Sequence, residues 1–326
     1  MRFLTAVPIV LSAVSFVLAM LALLAGKDEG FMEEYHIITF NTSEFGHILV
    51  PTSTSGGSQA TTTTGGDGGI GGFFSSLVAS ATAAVGAAES HLASIEGDIA
   101  DELAGELGIK QFYSLHVLDV CEGDFKPNAT APHAGYNVTN CTKPLDTSYM
   151  NVSALLDREL RLGPLHLNIT DLGFTQDLQD EIDKLPALFR ALAALFIISA
   201  ALTGLALLAS LAAFFLLRPV HPQNRGGTAI LLTNFTIALL AALFLLAGGL
   251  GTTIGGKKAV NEVNDKGSDI GITAERGNKF IAMIWAAFAL IALCVPYWAA
   301  EMVLQMRVRK RLGGARPYGK GENGRW

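Results

Sequence analysis

The 326-residue chain is poor in charge, in cysteine and in catalytic signatures. Only 16 % of its residues are charged, against about 25 % in an average soluble domain. Four stretches hold no Asp, Glu, Lys or Arg at all: Phe3 to Ala25, Ala191 to Leu217, Gly226 to Gly256 and Phe280 to Ala300. Half of the chain is hydrophobic, and the mean hydropathy is +0.39. This excludes the two soluble domains that length alone would suggest. A helix needs about 20 apolar residues to cross the hydrocarbon core, and backbone groups in lipid must be satisfied within the segment. Each run is therefore read as a spanning helix.

The catalytic vocabulary is missing as well. There is no H-E-x-x-H, no G-x-S-x-G, no P-loop and no dinucleotide fingerprint. Ionisable groups inside a membrane mark ion and substrate paths. Here they stop at Arg190 and Glu301, outside the runs, which disfavours a transporter or channel. His116 and His133 flank Cys121 but read as isolated histidines rather than metal ligands. Neither a cofactor nor a metal is expected.

The charges that do exist are segregated. Residues 26–184 hold 7 basic and 23 acidic side chains, and the rest of the chain is net basic. So acidic a segment argues against a nucleic-acid partner. Arg2, Arg218, Arg225 and the tail after Glu301 put most of the remaining Lys and Arg on one side of the four runs. The positive-inside rule then places both termini in the cytoplasm.

The resulting organisation is a cytoplasmic N-terminus (1–2), span 1 (3–25), a large outer loop (26–186) and span 2 (187–217). A cytoplasmic loop (218–225), span 3 (226–252), a second outer loop (253–279), span 4 (280–301) and a basic tail (302–326) follow. Span 1 exceeds the 7–15 residues usual for a signal-peptide core and is read as an uncleaved anchor, a cleaved signal being the alternative.

The pattern N-x-S/T supports that sidedness. It occurs at Asn41, Asn128, Asn137, Asn140, Asn151 and Asn168, all in the large loop. These are candidate N-glycosylation sites of an exposed segment. A seventh match, Asn234, lies within span 3 and out of reach.

Within the large loop, residues 51–72 form a Gly/Ser/Thr linker. Val78, Val85, Leu92 and Ile99 recur every seven residues, which predicts an amphipathic helix over 73–109. Short strands are expected at Tyr35 to Phe40, Phe112 to Val120 and Tyr136 to Thr139. Leu178, Ile182 and Leu185 predict that the second helix starts near Thr175, with a kink at Pro186.

Cys294 lies in span 4, whereas Cys121 and Cys141 lie in the outer loop and are read as one disulfide. Gly251 and Gly255 form a G-x-x-x-G that suits helix packing, within the bundle or between copies of the chain. Arg307, Arg309, Lys310 and Arg311 sit just past span 4. They read as a cluster for anionic inner-leaflet lipid or as a simple positive-inside anchor.

The stretch Leu107 to Phe125, with Phe112, Tyr113, Ser114, His116, Leu118, Cys121, Glu122 and Gly123, and a second cysteine at Cys141, resembles the fungal PalI family. That family includes Sur-seven-type eisosome proteins. Leu23 to Gly26, Gly30 to Glu33, Asn41 to Ser43 and Ile270 to Phe280 fit it too. The resemblance implies a non-enzymatic plasma-membrane protein linked to cortical membrane domains, cell-wall integrity and endocytosis. Its partners would be membrane lipids and other cortical proteins. The PalI branch is linked to ambient-pH sensing but tends to carry a longer tail. The expected fold is an all-α, four-transmembrane-helix bundle with a disulfide-containing, glycosylated first extracellular loop. More distantly it is similar to claudins, although the claudin Gly-Leu-Trp is missing, which argues against a claudin-type sheet.

Overall fold

The computed structural model describes residues 2–44, 110–129, 131, 134–144, 185–216, 225–268 and 271–313. The linker, the Ala-rich segment 73–109, the region near Thr175, His133, Asn151 and Asn168 lie outside the described residues. The chain divides into two compact units.

The first unit is helical. It draws on α1 (Arg2–Leu24), α2 (Leu185–Leu216), α3 (Arg225–Leu250) and α5 (Asn278–Gly313). Among the described residues, four helical stretches are long and apolar enough to cross a membrane: Ala6–Leu24, Ala187–Leu216, Gly227–Asp265 and Asn278–Val308. Small side chains let these helices approach closely. Ala238, Ala241, Ala242, Leu245, Ala287 and Ile291 are buried together with Trp298. The buried Ser15 hydroxyl donates to Ala287 O at 2.8 Å, tying α1 to α5. Asn234 is buried and donates from Nδ2 to Ile230 O at 2.9 Å, so this sequon is closed. Meanwhile Val10, Leu208 and Phe215 stay exposed on the outer faces, where lipid would cover them.

One expectation about these helices is corrected, and two helices extend beyond the spans read from the sequence. Pro186 does not kink α2. It falls in the first turn, where a missing N–H costs nothing. Past the predicted end of span 3 at 252 the helical chain continues, through a π-helical turn at Gly251–Gly255 into α4 (Gly256–Gly267). The fourth helix runs past 301 to Gly313, so the basic cluster is helical in backbone. At 1.5 Å per residue its 36 residues span about 54 Å, well beyond a hydrocarbon core of about 30 Å.

The second unit corrects the all-α expectation. It contains a five-stranded antiparallel sheet of order β4-β3-β2-β1-β5. The strands are β1 (Ile38–Asn41), β2 (Phe112–Leu115), β3 (Val120–Lys126), β4 (Gly135–Cys141) and β5 (Thr273–Arg276). The single strand expected over Phe112 to Val120 is two strands, broken by a turn in which His116 N donates to Asp119 O at 2.9 Å. The segment from Tyr35 begins with a 3-10 turn, Glu33–Tyr35, before β1.

The element that sequence reading missed is β5. It comes from the segment between α4 and α5 and pairs with β1, from the segment between α1 and α2, Ile38 opposite Arg276. Its four residues alternate weakly and sit among five basic side chains, so no strand signal stood out. Asn264 covers its outer edge. Asn264 Oδ1 accepts Ala274 N–H at 2.6 Å, and Nδ2 donates to Ala274 O at 3.1 Å. At Ala274 the open edge of the strand is thereby satisfied by one side-chain amide.

Candidate functional site

Register assigns the two faces of the sheet. Thr39, Phe112, Ser114, Cys121, Gly123, Phe125 and Tyr136 share one face. Phe112 and Tyr136 meet edge-on with ring centroids 4.9 Å apart, and Phe125 lies 5.2 Å from Phe112. Cys121 and Cys141 are opposite each other across β3 and β4 and form a disulfide. Cys121 is fully buried, and its sulfur lies 3.3 Å from Gly26 O.

The segment after α1 packs on this face. Gly26 and Gly30 adopt positive φ, as does Met32. A Cβ at Gly26 would overlap the His116 ring, so this position needs glycine for both space and conformation. The turn then delivers Glu33, which is 8 % exposed, to His116, with Oε2 3.5 Å from Nε2. Glu33 Oε1 accepts the Gly30 N–H at 3.2 Å. Ser114 Oγ lies 3.4 Å from His116 Nε2. His36 joins the cluster edge-on to His116 and Tyr136, and its Nδ1 is 2.9 Å from Glu33 O.

A third stretch closes the group. Gly277 N donates to Ile37 O at 3.0 Å, and a Cβ on Gly277 would overlap the His36 carbonyl. Residues separated by some 240 positions therefore converge on one buried patch of acids and histidines. Asp119 is fully buried beside it, and neither carboxylate oxygen finds a hydrogen-bond donor among the described residues.

Burial dominates the electrostatics. It pushes the Asp119 carboxyl up to about 6, against a smaller downward pull from His116. Desolvation also lowers His36, opposed by its bond to the Glu33 carbonyl. The signs are opposite. Asp119, raised in the fold, contributes stability that is full below its unfolded value of 3.8 and is lost as pH rises through about 6. His36, lowered in the fold, contributes stability above its unfolded value of 6.5 that is lost as pH falls. Asp119→Asn is thus expected to flatten thermal stability between about pH 4 and pH 6. Melting of the detergent-solubilised protein across that range checks it. An unchanged slope would remove Asp119 from the cluster's titration.

Glu33 also lies close to the sulfurs of Cys121 and Cys141. Both sulfurs are spent on the disulfide, so the trio is not a thiolate donor set for a metal.

The FYS-x-H-x-L-x-x-CEG residues serve this core. Phe112, Ser114, His116, Cys121 and Gly123 are buried, whereas Tyr113, Leu118 and Glu122 are half-buried. A Cβ at Gly123 would overlap the Asn137 carbonyl, which explains glycine after Cys-Glu. The pattern matches a family over nearly the whole length: the SUR7/PalI family model covers residues 4–295. The chain belongs to the SUR7/PalI family. No curated protein and no solved structure matches it. As a SUR7/PalI protein with four such helices, it is a multi-pass membrane protein.

The remaining predicted residues of this SUR7/PalI chain are dispersed. Asn41 is half-buried in β1, and its Oδ1 accepts Ser43 N–H at 2.9 Å. Asn128 is exposed in the turn after β3. A bulge between Glu122 and Gly123 sets Asn137 opposite Asp124 and Asn140 opposite Glu122, so both asparagines fall on the face opposite the disulfide. A Cβ on Gly251 would lie 2.8 Å from Leu192 Cδ2, whereas Gly255 faces open space. The close approach that accompanies Gly251 belongs to Gly248, where a Cβ would lie 2.8 Å from the Phe196 ring. Arg307 is exposed on α5, and Arg309, Lys310 and Arg311 continue that helix. Sequence reading missed Glu33, His36, Asp119 and Gly277 as partners. For Glu33, Asp119 and Gly277 the only signal was membership in the shared stretches, and His36 lies outside them.

Proposed function

We propose that the chain is a non-enzymatic integral protein of the plasma membrane that organises cortical membrane domains of the eisosome type. In that role it supports cell-wall integrity and endocytosis. The observation that carries this reading is where the shared stretches go. Gly26, Glu33, His116, Cys121, Gly123 and Gly277 are all buried, and each holds the sheet unit together. A protein built this way works through a rigid module's surface and through lateral contacts with lipids, other cortical proteins and further copies of itself.

The first and second outer loops share one sheet, so they lie on the same side of the membrane. Sequons in the first loop and basic flanks elsewhere favour that side as the exterior, with both termini cytoplasmic. Live-cell imaging of the tagged chain tests the organising role. Static cortical patches support it, and a uniform or vesicular signal contradicts it.

The basic end of α5 supplies the lipid contact in this reading. Each juxtamembrane Lys or Arg gains about 1 kcal/mol near anionic lipid. Replacing Arg307, Arg309, Lys310 and Arg311 with glutamine is expected to disperse the patches while the chain still reaches the membrane. Unchanged patches would confine the cluster to anchoring.

A second reading, a sensor or receptor accessory for ambient pH or wall stress, is favoured by one observation. Asp119 and His36 are buried with opposite pKa shifts. Loss of the chain would then block a pH response without disturbing cortical patches, whereas the organising role predicts the reverse.

A further inference from the structure

Five of the six sequons in the large loop have Thr, Ala, Val or Ile between the asparagine and the hydroxyl residue, but Asn140-Cys141-Thr142 has a disulfide-bonded cysteine. All three of its members are engaged in the folded sheet. Asn140 Nδ2 donates to Glu122 Oε1 at 3.2 Å. Cys141 is bonded to Cys121. Thr142 Oγ1 accepts Val120 N–H at 3.0 Å, and Thr142 N donates back to Val120 O at 2.9 Å.

We infer that closure of the Cys121–Cys141 disulfide switches Asn140 off as a glycan acceptor, so that Asn140 is modified only in chains whose Cys141 is still a thiol at that moment. The inference rests on the proposed exterior placement of the sheet. Two covalent reactions compete for one tripeptide. Glycan transfer joins Asn140 Nδ2 to the anomeric carbon of a lipid-pyrophosphate-linked oligosaccharide. The anomeric C–O bond breaks, the lipid pyrophosphate leaves with the electron pair, and Nδ2 gives up one proton. Disulfide closure takes two protons and two electrons from the Cys121 and Cys141 thiols. They reduce the disulfide of a thiol oxidoreductase to a dithiol.

The difference from the neighbouring site is physical. At Asn137-Val138-Thr139 the strand is held by hydrogen bonds alone, including Thr139 Oγ1 to Glu122 O at 3.2 Å. Such a ladder opens and recloses on the way to the native state, and the sequon stays available. A covalent cross-link through the middle residue holds the segment extended, with the threonine hydroxyl turned into β3. The sequon rule requires that hydroxyl. The coupling runs one way. Asn140 is exposed on the face opposite the disulfide, so a glycan attached before closure projects into solvent and leaves the sheet intact.

The test is site-by-site occupancy in the full-length chain, read by mass spectrometry after N-glycosidase treatment in heavy-oxygen water. In the native chain Asn140 is expected to be the least occupied site outside the membrane. Cys121→Ser leaves the sequon itself unaltered, and it should turn Asn140 from minority to majority occupancy. A short pulse of reductant during synthesis of the native chain should do the same without any substitution. Asn137 should change in neither case. Equal occupancy of Asn140 with and without the disulfide would overturn the inference. A parallel rise at Asn137 would overturn it too, because general unfolding would then be the cause. Absence of glycan at every site would overturn the exterior placement along with it.

Discussion

Replacing Gly277 with alanine is expected to remove the folded sheet. The Gly277 backbone lies flat against residues 36 and 37, its N–H bonded to Ile37 O, and a Cβ would overlap the His36 carbonyl oxygen. No side-chain rotation relieves a clash with backbone. Either β5 must leave β1 or the turn that delivers His36 must deform. Overpacking in a well-filled site costs about 1–3 kcal/mol, and a backbone clash sits at or above the top of that range. Gly123→Ala should behave alike, because its Cβ would meet the Asn137 carbonyl and part β3 from β4. Gly30 provides the contrast. Among the described residues nothing lies within 4 Å of its Cβ position, where its positive φ opposes a side chain. Gly30→Ala should cost about 1–2 kcal/mol. Limited proteolysis of the three variants in detergent measures this. Rapid cleavage of Gly277→Ala and Gly123→Ala, with Gly30→Ala close to the native chain, is the expected order. A protease-resistant Gly277→Ala would contradict the packing.

Loss of the disulfide should be nearly as severe. Cys121 and Cys141 are 20 positions apart and join the two strands at one edge of the sheet. Closing a loop of that size constrains the unfolded chain by roughly 3 kcal/mol in the chain-entropy model. The β3–β4 edge has little else to hold it, since β4 is mostly exposed or half-buried. Cys121→Ser, Cys141→Ser and the double variant should share one defect, retention in the secretory pathway, because the unit that matters is the bond. Non-reducing peptide mapping supplies the direct check. An intrachain Cys121–Cys141 peptide is expected, and free thiols at both positions in the mature protein would refute the staple.

The helices were legible because lipid leaves a chain few options: long uncharged runs spell spans directly. The disulfide was legible because two cysteines stood in one acidic loop. The sheet was legible only in part. Strand signals at Phe112 to Val120 and Tyr136 to Thr139 came from β-branched and aromatic residues, but nothing local announced that Thr273–Arg276 would pair with Ile38–Asn41 across more than 230 positions. Pairing of that range is decided by tertiary context, which overrides weak propensity. The buried cluster was the least legible part. Glu33, His36, His116 and Asp119 are ordinary polar residues in sequence, and only the fold removes them from water. The G-x-x-x-G at Gly251 and Gly255 is a further case, a motif whose second glycine meets nothing among the described residues of its own chain.

The sidedness of the membrane underlies every functional statement made for this chain. It is measured by placing an epitope after Arg311, exposing intact cells to protease, and treating the extracted protein with N-glycosidase. A protected epitope together with a mobility shift on deglycosylation places the sheet outside and the basic helix end inside, as proposed. An epitope cleaved from outside, with no glycan on the chain, would reverse the assignment and put the sheet, its disulfide and its acid–histidine cluster in the cytoplasm.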